Sequence, residues 1–308
     1  MAAKQISFVD NAYLNLGPVI MLQRLVLICS VVAFQAIAQS QVVRTIGPQD
    51  PEAGASHKYY IDLLERVISR TEAEFGPAYI QQVPHPGQGR VLRLLGQNRF
   101  YDVMWAGSSA QREVSLKAIP VPLFKGGLGW RGMVILEQRR PVFARINTLE
   151  QLSHFVACQG EHWPDSDVLE NAGLVVARIN RVTAMMEMLI KKRCDYLPLS
   201  LFEGPSEVSA RQHRMPGLVF YDRLILKYPL TMNFFVHRSN EVLARRMTAG
   251  LQQMVQEGEL EAFMRDHPVT QHMFPLSQYR QARVFELDNP NYAVPALLEQ
   301  PEYWLGLP

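Results

Sequence analysis

The side chains best suited to bind a small charged molecule follow directly after an apolar run of the chain. Residues 101–106 predict a strand, and Gly107, Ser108, Ser109 and Arg112 come next. Glycine allows a ligand to approach the backbone, and hydroxyl and exposed N–H groups can bind an anion. A guanidinium group can hold a carboxylate through two parallel hydrogen bonds. The spacing therefore predicts an anion-binding loop, with a surface ion pair as the alternative role for Arg112.

Five further side chains are candidates for the same site, and each has a structural alternative. Trp105 stands at the end of the predicted strand, where it would line a cleft or pack in the core. Arg131 follows a glycine-rich stretch and is expected to be a second anion contact or a salt bridge at a hinge. Gln159 and Trp163 belong to a loop after a later strand. Glu203 lies just past another strand and is expected to contact a ligand, with helix capping as its alternative.

Strand-like and helix-like segments alternate along most of the chain. Residues 42–46 predict a strand, and apolar residues from Tyr60 to Ile68 at helical spacing predict a helix. Strands that alternate with helices of about ten to fifteen residues indicate βαβ units and mostly parallel sheets. Two successive sets of such segments indicate two lobes. In sheets of this kind ligands bind beyond the carboxyl ends of the strands, which is where the candidate side chains stand.

The spacing Gly107-x-Ser109-x-x-Arg112 resembles the G-x-[ST]-x-x-R signature of periplasmic solute-binding proteins of the polar amino-acid type, family 3. In that family the hydroxyl and the arginine hold the α-carboxylate of the substrate. Further segments are similar to parts of the family in the same order and cover most of the chain after residue 38. These segments are residues 119–123, 149–160, 194–196, 228–236 and 243–263.

The resemblance implies an α/β fold of two lobes, the type II periplasmic-binding-protein-like architecture, with mostly parallel sheets and two hinge crossings. The crossings are expected near residues 138–147 and 224–231. The tail contains four prolines and is expected to wrap a lobe or to stay mobile. The expected boundaries are residues 39–137 and 232–289 for lobe 1, residues 138–231 for lobe 2, and residues 290–308 for the proline-rich tail.

By this resemblance the protein would capture a small polar ligand bearing a carboxylate, similar to an amino acid, between its lobes for uptake or signalling. Ser109 and Arg112 would hold the carboxylate from lobe 1, and Gln159, Trp163 and Glu203 would complete the site from lobe 2. The loop that holds Gln159 and Trp163 is bulkier than the Gly-Ser/Thr turn of ordinary amino-acid binders. Glu203 is the candidate for the amino group. The expected partner is a membrane permease or a receptor, and no cofactor is expected.

Two alternatives from other classes stay open. One is a sensor or interaction domain that has the same fold and binds no ligand. The other is an enzyme similar to the periplasmic dehydratases of this scaffold, in which Glu203 would act as a general acid with a raised pKa. The sequence contains no G-x-S-x-G, H-E-x-x-H or P-loop motif, and no G-x-G-x-x-G after a strand. We therefore expect no enzymatic activity.

Composition excludes several classes of protein. Of the 308 residues 48% are apolar and 19% are charged, which is typical of a globular protein and not of a disordered chain. The 31 basic and 29 acidic residues give a net charge of +2, so nucleic-acid binding has no electrostatic basis. Three cysteines without a C-x-x-C pair argue against a zinc site. We expect Cys158 and Cys194 to be buried thiols, with a disulfide as the alternative.

The first forty residues have the order of a secretory signal peptide. Arg24 precedes the apolar run 25–34, and Ala36 and Ala38 fit the small-x-small pattern before a cleavage site. The expected segments are residues 1–20, a non-native upstream extension, and residues 21–38, the signal peptide, cleaved after Ala38. Translation would then start at Met21, and export would place the mature protein in the periplasm. The alternative is an uncleaved amphipathic anchor.

Overall fold

A computed structural model describes residues 40–49, 55–292 and 300–306 of the chain. The part after Ser40 forms one compact unit. The predicted signal peptide and upstream extension lie outside the described residues. Within the described ranges, no helix is long and apolar enough to cross a bilayer.

The described residues form eleven strands and eleven α-helices, together with short 3-10 turns. The strands are β1 (Gln41–Ile46), β2 (Ala78–Val83), β3 (Val103–Gly107), β4 (Leu116–Ala118), β5 (Trp130–Leu136), β6 (Val156–Gly160), β7 (Val175–Ile179), β8 (Leu197–Ser200), β9 (Leu218–Lys227), β10 (Met232–His237) and β11 (Arg283–Glu286). The helices are α1 (Ala55–Arg70), α2 (Glu72–Phe75), α3 (Gln88–Gly96), α4 (Ala110–Ser115), α5 (Arg140–Phe143), α6 (Leu149–Ser153), α7 (Pro164–Asn171), α8 (Val182–Ile190), α9 (Gly204–Arg211), α10 (Glu241–Gln256) and α11 (Glu259–Asp266).

The first group of strands contains β1 to β4 and β10. Strand β1 pairs in parallel with β2, and β10 runs antiparallel between β3 and β4. Strand β1 lies beside β3, where the Asp102 amide donates to the Arg44 carbonyl at 2.8 Å. Helix α1 buries Tyr60, Leu64 and other apolar residues at helical spacing, because one face of the helix covers this core.

The second group contains β5 to β9 and β11. Strand β6 pairs in parallel with β7 and meets β8 through a parallel bridge between Ala157 and Tyr196. Strand β5 runs antiparallel to both β8 and β9, and β11 joins β9 in parallel. The sheets are therefore mixed: four of the strand pairs in the two groups are antiparallel and three are parallel, so the expectation of mostly parallel sheets is wrong. Helices pack against the sheets, as expected for an α/β protein.

Strand β5 is placed differently from the prediction, which assigned residues 39–137 to lobe 1. It pairs with β8 and β9 and belongs to the second group. The chain therefore passes between the groups at residues 119–129, and residues 138–147 lie in turns and short helices after β5. Residues 228–231 make the return passage from β9 to β10. An apolar run buried on both faces fits either sheet, because pairing is decided by distant partners.

The described part of the proline-rich tail packs on the first passage between the groups. The Leu305 amide donates to the Lys125 carbonyl at 2.9 Å, and the Trp304 ring covers Gly126. Gly126 has a φ of +77°, and a Cβ at this position would lie 2.0 Å from the Trp304 ring. Glycine is required here both by the left-handed backbone and by the close approach of the ring.

Cys158 and Cys194 are joined by a disulfide, with their Cα atoms 5.7 Å apart. The expectation of two buried thiols is therefore wrong, and the alternative describes the structure. Both residues are buried, and the bridge between Ala157 and Tyr196 brings their strand regions side by side. Because the two cysteines are 36 residues apart in the sequence, their proximity in the fold could not be predicted from spacing.

Candidate functional site

A cavity of about 510 Å³ lies between the two groups of strands, at the ends of β3 and β8. Helix α1 and the end of β3 form its wall on the side of the first group. Strand β5, the start of α7 and the loop before α9 form the opposite wall. Five of the predicted site residues line it: Trp105, Gly107, Arg131, Trp163 and Glu203. Four predicted residues do not line it: Ser108, Ser109, Arg112 and Gln159.

Among the acids of the cavity wall, Glu203 has a carboxyl group that is removed from solvent and only partly hydrogen-bonded, whereas Glu187 is exposed. It lies in the turn between β8 and α9, where the chain leaves the sheet. The Tyr60 hydroxyl donates to Glu203 Oε1 at 2.6 Å, and no hydrogen bond within the described residues reaches Oε2. Burial raises the pKa of Glu203 to about 7, although the Tyr60 hydrogen bond and the charge of Arg131 act in the opposite direction. The protonated form of this carboxyl group is therefore favoured to a much higher pH than in an ordinary glutamate.

An aromatic wall stands beside Glu203. The Trp105 ring stacks on the Tyr60 ring with centroids 4.7 Å apart and an interplanar angle of 15°. The His57 ring packs against the Trp105 ring in a tilted arrangement, with ring centroids 5.2 Å apart. Burial lowers the pKa of His57, although a hydrogen bond with Gln82 opposes this shift, so the ring is neutral at pH 7. The first group thus offers the cavity a flat, uncharged surface.

Arg131 and Asp165 form a buried ion pair in the same cavity wall, and each side chain is 3% exposed. The Tyr228 hydroxyl donates to Asp165 Oδ1 at 2.6 Å. Burial alone would lower the pKa of Arg131, but the charges of Asp165, Tyr228 and Glu203 outweigh it and raise the pKa. Since Tyr228 belongs to the return passage, this cluster joins that passage to the cavity wall.

The Arg112 guanidinium is directed at acceptors of the chain itself. It donates to the carbonyl oxygens of Gly107 and His162, and to Gln88 Oε1 at 2.9 Å. Gly107 and Gln88 belong to the first group, and His162 follows β6 of the second. Burial lowers the pKa of Arg112 to about 10, an effect that the charge of Asp165 partly offsets. Arg112 therefore joins the two sides of the cleft.

The remaining predicted residues outside the cavity wall also have partners within the chain. The Ser108 hydroxyl donates to Glu113, and Ser109 caps α4 by accepting from the Arg112 amide at 3.4 Å. Gln159 is buried, and its Nε2 donates to the Pro198 carbonyl at 3.3 Å. Their polar groups serve the loops and helix ends that shape the cleft.

Sequence reasoning missed a contact between Ser56 and Glu207 that closes one end of the cavity. The Ser56 amide and hydroxyl donate to Glu207 Oε1 at 2.9 and 2.5 Å. Arg211 donates to the other oxygen of Glu207. Ser56 lies in α1 and Glu207 in α9, so the contact joins the two groups. Each residue resembles an ordinary polar helix position in the sequence, so no pattern could have singled it out.

Sequence reasoning also missed Arg181, which stands just before α8 and lines the cavity. Its side chain is exposed and forms no hydrogen bond or ion pair within the described residues. The other two arginines of the cavity wall, Arg131 and Arg211, are paired with Asp165 and Glu207. The cavity therefore combines Glu203 with one oxygen free of hydrogen bonds, the exposed acid Glu187 without an ion pair in the described residues, one unpaired arginine and an aromatic wall. No group of three or more metal-ligating side chains occurs within the described ranges.

Comparison with known proteins rests on solved structures. No family model matches the sequence, and no curated relative matches it. A histidine kinase sensor domain with similarity to periplasmic binding proteins matches with a TM-score of 0.53 and 15% identity, over 73% of this chain and 94% of that one. An ancestral arginine-binding protein bound to arginine matches with a TM-score of 0.52 and 15% identity, over 73% of this chain and 96% of that one.

A third solved structure agrees with these two. A periplasmic His/Glu/Gln/Arg/opine family-binding protein from Silicibacter pomeroyi, in complex with lysine, matches with a TM-score of 0.54 and 10% identity, over 73% of this chain and 95% of that one. The chain has the type II periplasmic-binding-protein fold. The predicted fold class is confirmed, and the low identities make this chain a divergent example. In this periplasmic-binding-protein fold, the cavity lies between the two groups of strands.

Proposed function

We propose that the protein binds a small polar ligand with a cationic amino group in the cavity between its two lobes. The observation that carries this proposal is Glu203, whose Oε2 atom is left without a hydrogen bond within the described residues. An ammonium group beside this carboxyl group would favour its ionised form and supply the missing donor. The fold similarity supports the same reading, since the proteins compared include binders of arginine and lysine.

The aromatic wall would set the shape of the ligand that fits. Trp105 and Tyr60 present a flat apolar surface beside the acid. Trp163 lines the cavity from the opposite side, so an alkyl or planar part of the ligand would pack between aromatic rings. Sites of this kind combine apolar walls with a few polar groups that fix orientation.

We assign the carboxylate of the ligand to Arg181. Arg112 donates to three acceptors of its own chain, so a ligand carboxylate would have to displace these bonds. Arg181 has no such commitment within the described residues and faces the same cavity. A ligand with an amino group at Glu203 and a carboxylate toward Arg181 is similar to an amino acid, as the sequence predicts.

Uptake or signalling in the periplasm follows from the same proposal. The predicted signal peptide would export the chain, and the disulfide between Cys158 and Cys194 suits an oxidising compartment. A membrane permease or receptor would then recognise the protein with its lobes closed on the ligand.

A thermal-shift screen of the purified protein against amino acids, small di-acids and short peptides tests the proposal. A ligand at about a hundred times its dissociation constant adds about 2.7 kcal/mol to the free energy of unfolding. We expect stabilisation by compounds with a free amino group and its loss when the same compound is N-acetylated. Equal stabilisation by the acetylated form, or no shift across the panel, would contradict the proposal.

A second candidate is a proton-transfer enzyme, favoured by the raised pKa of Glu203 near 7. In that case Glu203 would protonate a hydroxyl group of a small carboxylate, which leaves as water while the neighbouring carbon loses a proton to solvent and a C=C bond forms. Incubation of the ligands found in the screen, followed by mass spectrometry, separates the two functions. Unchanged ligand after long incubation supports binding, and a dehydrated product that is absent with Glu203→Gln supports the enzyme.

A further inference from the structure

A second cavity of about 440 Å³ adjoins the first at its mouth. Its walls are formed by residues 85–87 and the start of α3 in the first group, and by the loop after β6 in the second. Since the same side chains face both spaces, one ligand can enter both. The six shared residues are Gln49, His85, Gln88, Trp163, Asn180 and Arg181.

The charged groups of the second cavity favour an anion. Arg90 in α3 and Arg181 before α8 approach it from opposite groups, and neither guanidinium group has a hydrogen bond or ion pair within the described residues. Glu161 is the acid in this wall, and its carboxylate also has no ion pair there. Two arginines against one acid leave a positive balance, and unpaired guanidinium groups bind carboxylates through paired hydrogen bonds.

Two neutral groups add hydrogen-bond donors on the same side. His85 Nδ1 accepts from the Gly87 amide at 3.1 Å, so its Nε2 carries the proton. Burial lowers the pKa of His85, although a backbone hydrogen bond opposes this shift, so its ring is neutral at pH 7. Helix α3 begins at Gln88 without a side-chain cap, so its first amide groups are not occupied by a capping side chain.

We propose that the ligand extends from the first cavity into the second and ends there in an acid group held by Arg90 and Arg181. This inference rests on the proposed function, because it places the amino group of the same ligand at Glu203. The class of ligand is an amino acid joined to a second, acidic unit, such as a dipeptide with an acidic end. A single amino acid at Glu203 would leave the second cavity and Arg90 unused.

Calorimetry with matched ligands tests the extension. The probes are dipeptides that begin with glycine, leucine or lysine and end in glutamate, their counterparts ending in glutamine amide, and the three first amino acids alone. In the wild-type protein, we expect the acidic dipeptides to bind about tenfold tighter than the amides. Arg90→Ala is expected to reduce this preference, because only Arg181 then holds the acid group, and to leave the affinity for the single amino acids unchanged.

Two further variants serve as controls on the same walls. Arg93 lies in the same helix, is exposed and lines neither cavity, so Arg93→Ala is expected to change no affinity. Glu161→Gln removes the opposing charge and is expected to tighten binding of the acidic dipeptides by a few fold.

The outcomes separate this inference from the proposed function. If single amino acids bind as tightly as acidic dipeptides and Arg90→Ala changes neither, the second cavity is not a subsite and the proposed function stands. An equal loss for Arg90→Ala and Arg93→Ala would also overturn the inference, because the effect would be one of net charge. If neither single amino acids nor dipeptides bind to the folded wild-type protein, both proposals fail.

Discussion

The loop after β3 and the turn after β8 occupy equivalent positions on opposite sides of the cleft, and their polar groups are used differently. In the first loop Ser108, Ser109 and Arg112 all bond to their own chain. In the second turn, Glu203 receives one hydrogen bond from Tyr60 and keeps an oxygen free of hydrogen bonds within the described residues. In the loop with the recognisable motif, the polar side chains have hydrogen-bond partners within the chain. In the turn without a motif, Glu203 Oε2 has none within the described residues.

Residue type and spacing alone do not show whether a polar group is free to bind a ligand. Arg112 has the chemistry of a carboxylate anchor, but its guanidinium group already donates hydrogen bonds to two backbone carbonyls and to Gln88. Buried polar groups are costly without partners, so a folded chain supplies partners where it can. A group without one in a cavity wall is therefore the better guide to a ligand site.

Arg131 and Asp165 form a buried ion pair within the chain. Breaking this pair should have the largest effect on the free energy of unfolding. Asp165→Ala leaves the Arg131 charge buried and unpaired, so we expect a loss of about 3–5 kcal/mol in the free energy of unfolding. Asp167 lies in the same helix and pairs with Arg178 at the surface, with side chains 46% and 33% exposed. Asp167→Ala should cost less than about 1 kcal/mol. Equal losses in urea unfolding would contradict this contrast.

The pH dependence of stability tests whether Glu203 lies in the environment described for it. Because its pKa is raised from 4.5 to about 7, the folded state retains a proton that the unfolded state loses. The stabilisation of the folded state by this retained proton is fully present below pH 4.5 and is lost as the pH rises through 7. Relative to Glu203→Gln, the wild-type protein should lose up to about 3 kcal/mol over this window in urea unfolding.

Tyr60 provides a second check on the same window. Its hydrogen bond opposes the rise in the pKa of Glu203, so Tyr60→Phe should shift the end of the window to higher pH. A wild-type stability that runs parallel to that of Glu203→Gln from pH 4 to pH 8 would contradict the raised pKa.

Arg112 should contribute to stability and not to affinity. Arg112→Ala leaves the Gly107 and His162 carbonyls without these donors, and we expect a loss of about 2 kcal/mol in the free energy of unfolding. Ligand affinity, measured by calorimetry below the unfolding temperature, should change less than about threefold. A large loss of affinity with normal stability would restore the anchor role that the motif predicts.

Ser109 should show the smallest effect of the four. Its hydroxyl caps α4, so Ser109→Ala is expected to cost about 1 kcal/mol in unfolding and to leave affinity unchanged. Ser109→Asp keeps an N-cap acceptor and should restore the stability. Failure of this rescue, together with weaker binding, would indicate that the hydroxyl contacts ligand.

The sequence predicted the fold class because alternating periodicity and the order of the segments are local signals. It could not predict that β5 pairs with β8 and β9, since an apolar run carries no information about its neighbours. The disulfide was not predicted for the same reason, because Cys158 and Cys194 are brought together only by strand pairing. At the site, Trp105 and Glu203 were predicted from their places at strand ends, and both line the cavity. Tyr60 was recognised only as part of a buried helix face.

The measurement that tests the central claim most directly is calorimetry of one ligand from the screen with three proteins: wild type, Glu203→Gln and Arg112→Ala. We expect Glu203→Gln to weaken binding by at least about thirtyfold, because a buried charged contact is lost. Arg112→Ala should stay within about threefold of wild type, since its bonds are internal. The reverse order, with Arg112→Ala abolishing binding and Glu203→Gln leaving it intact, would contradict the assignment of the ligand's amino group to Glu203.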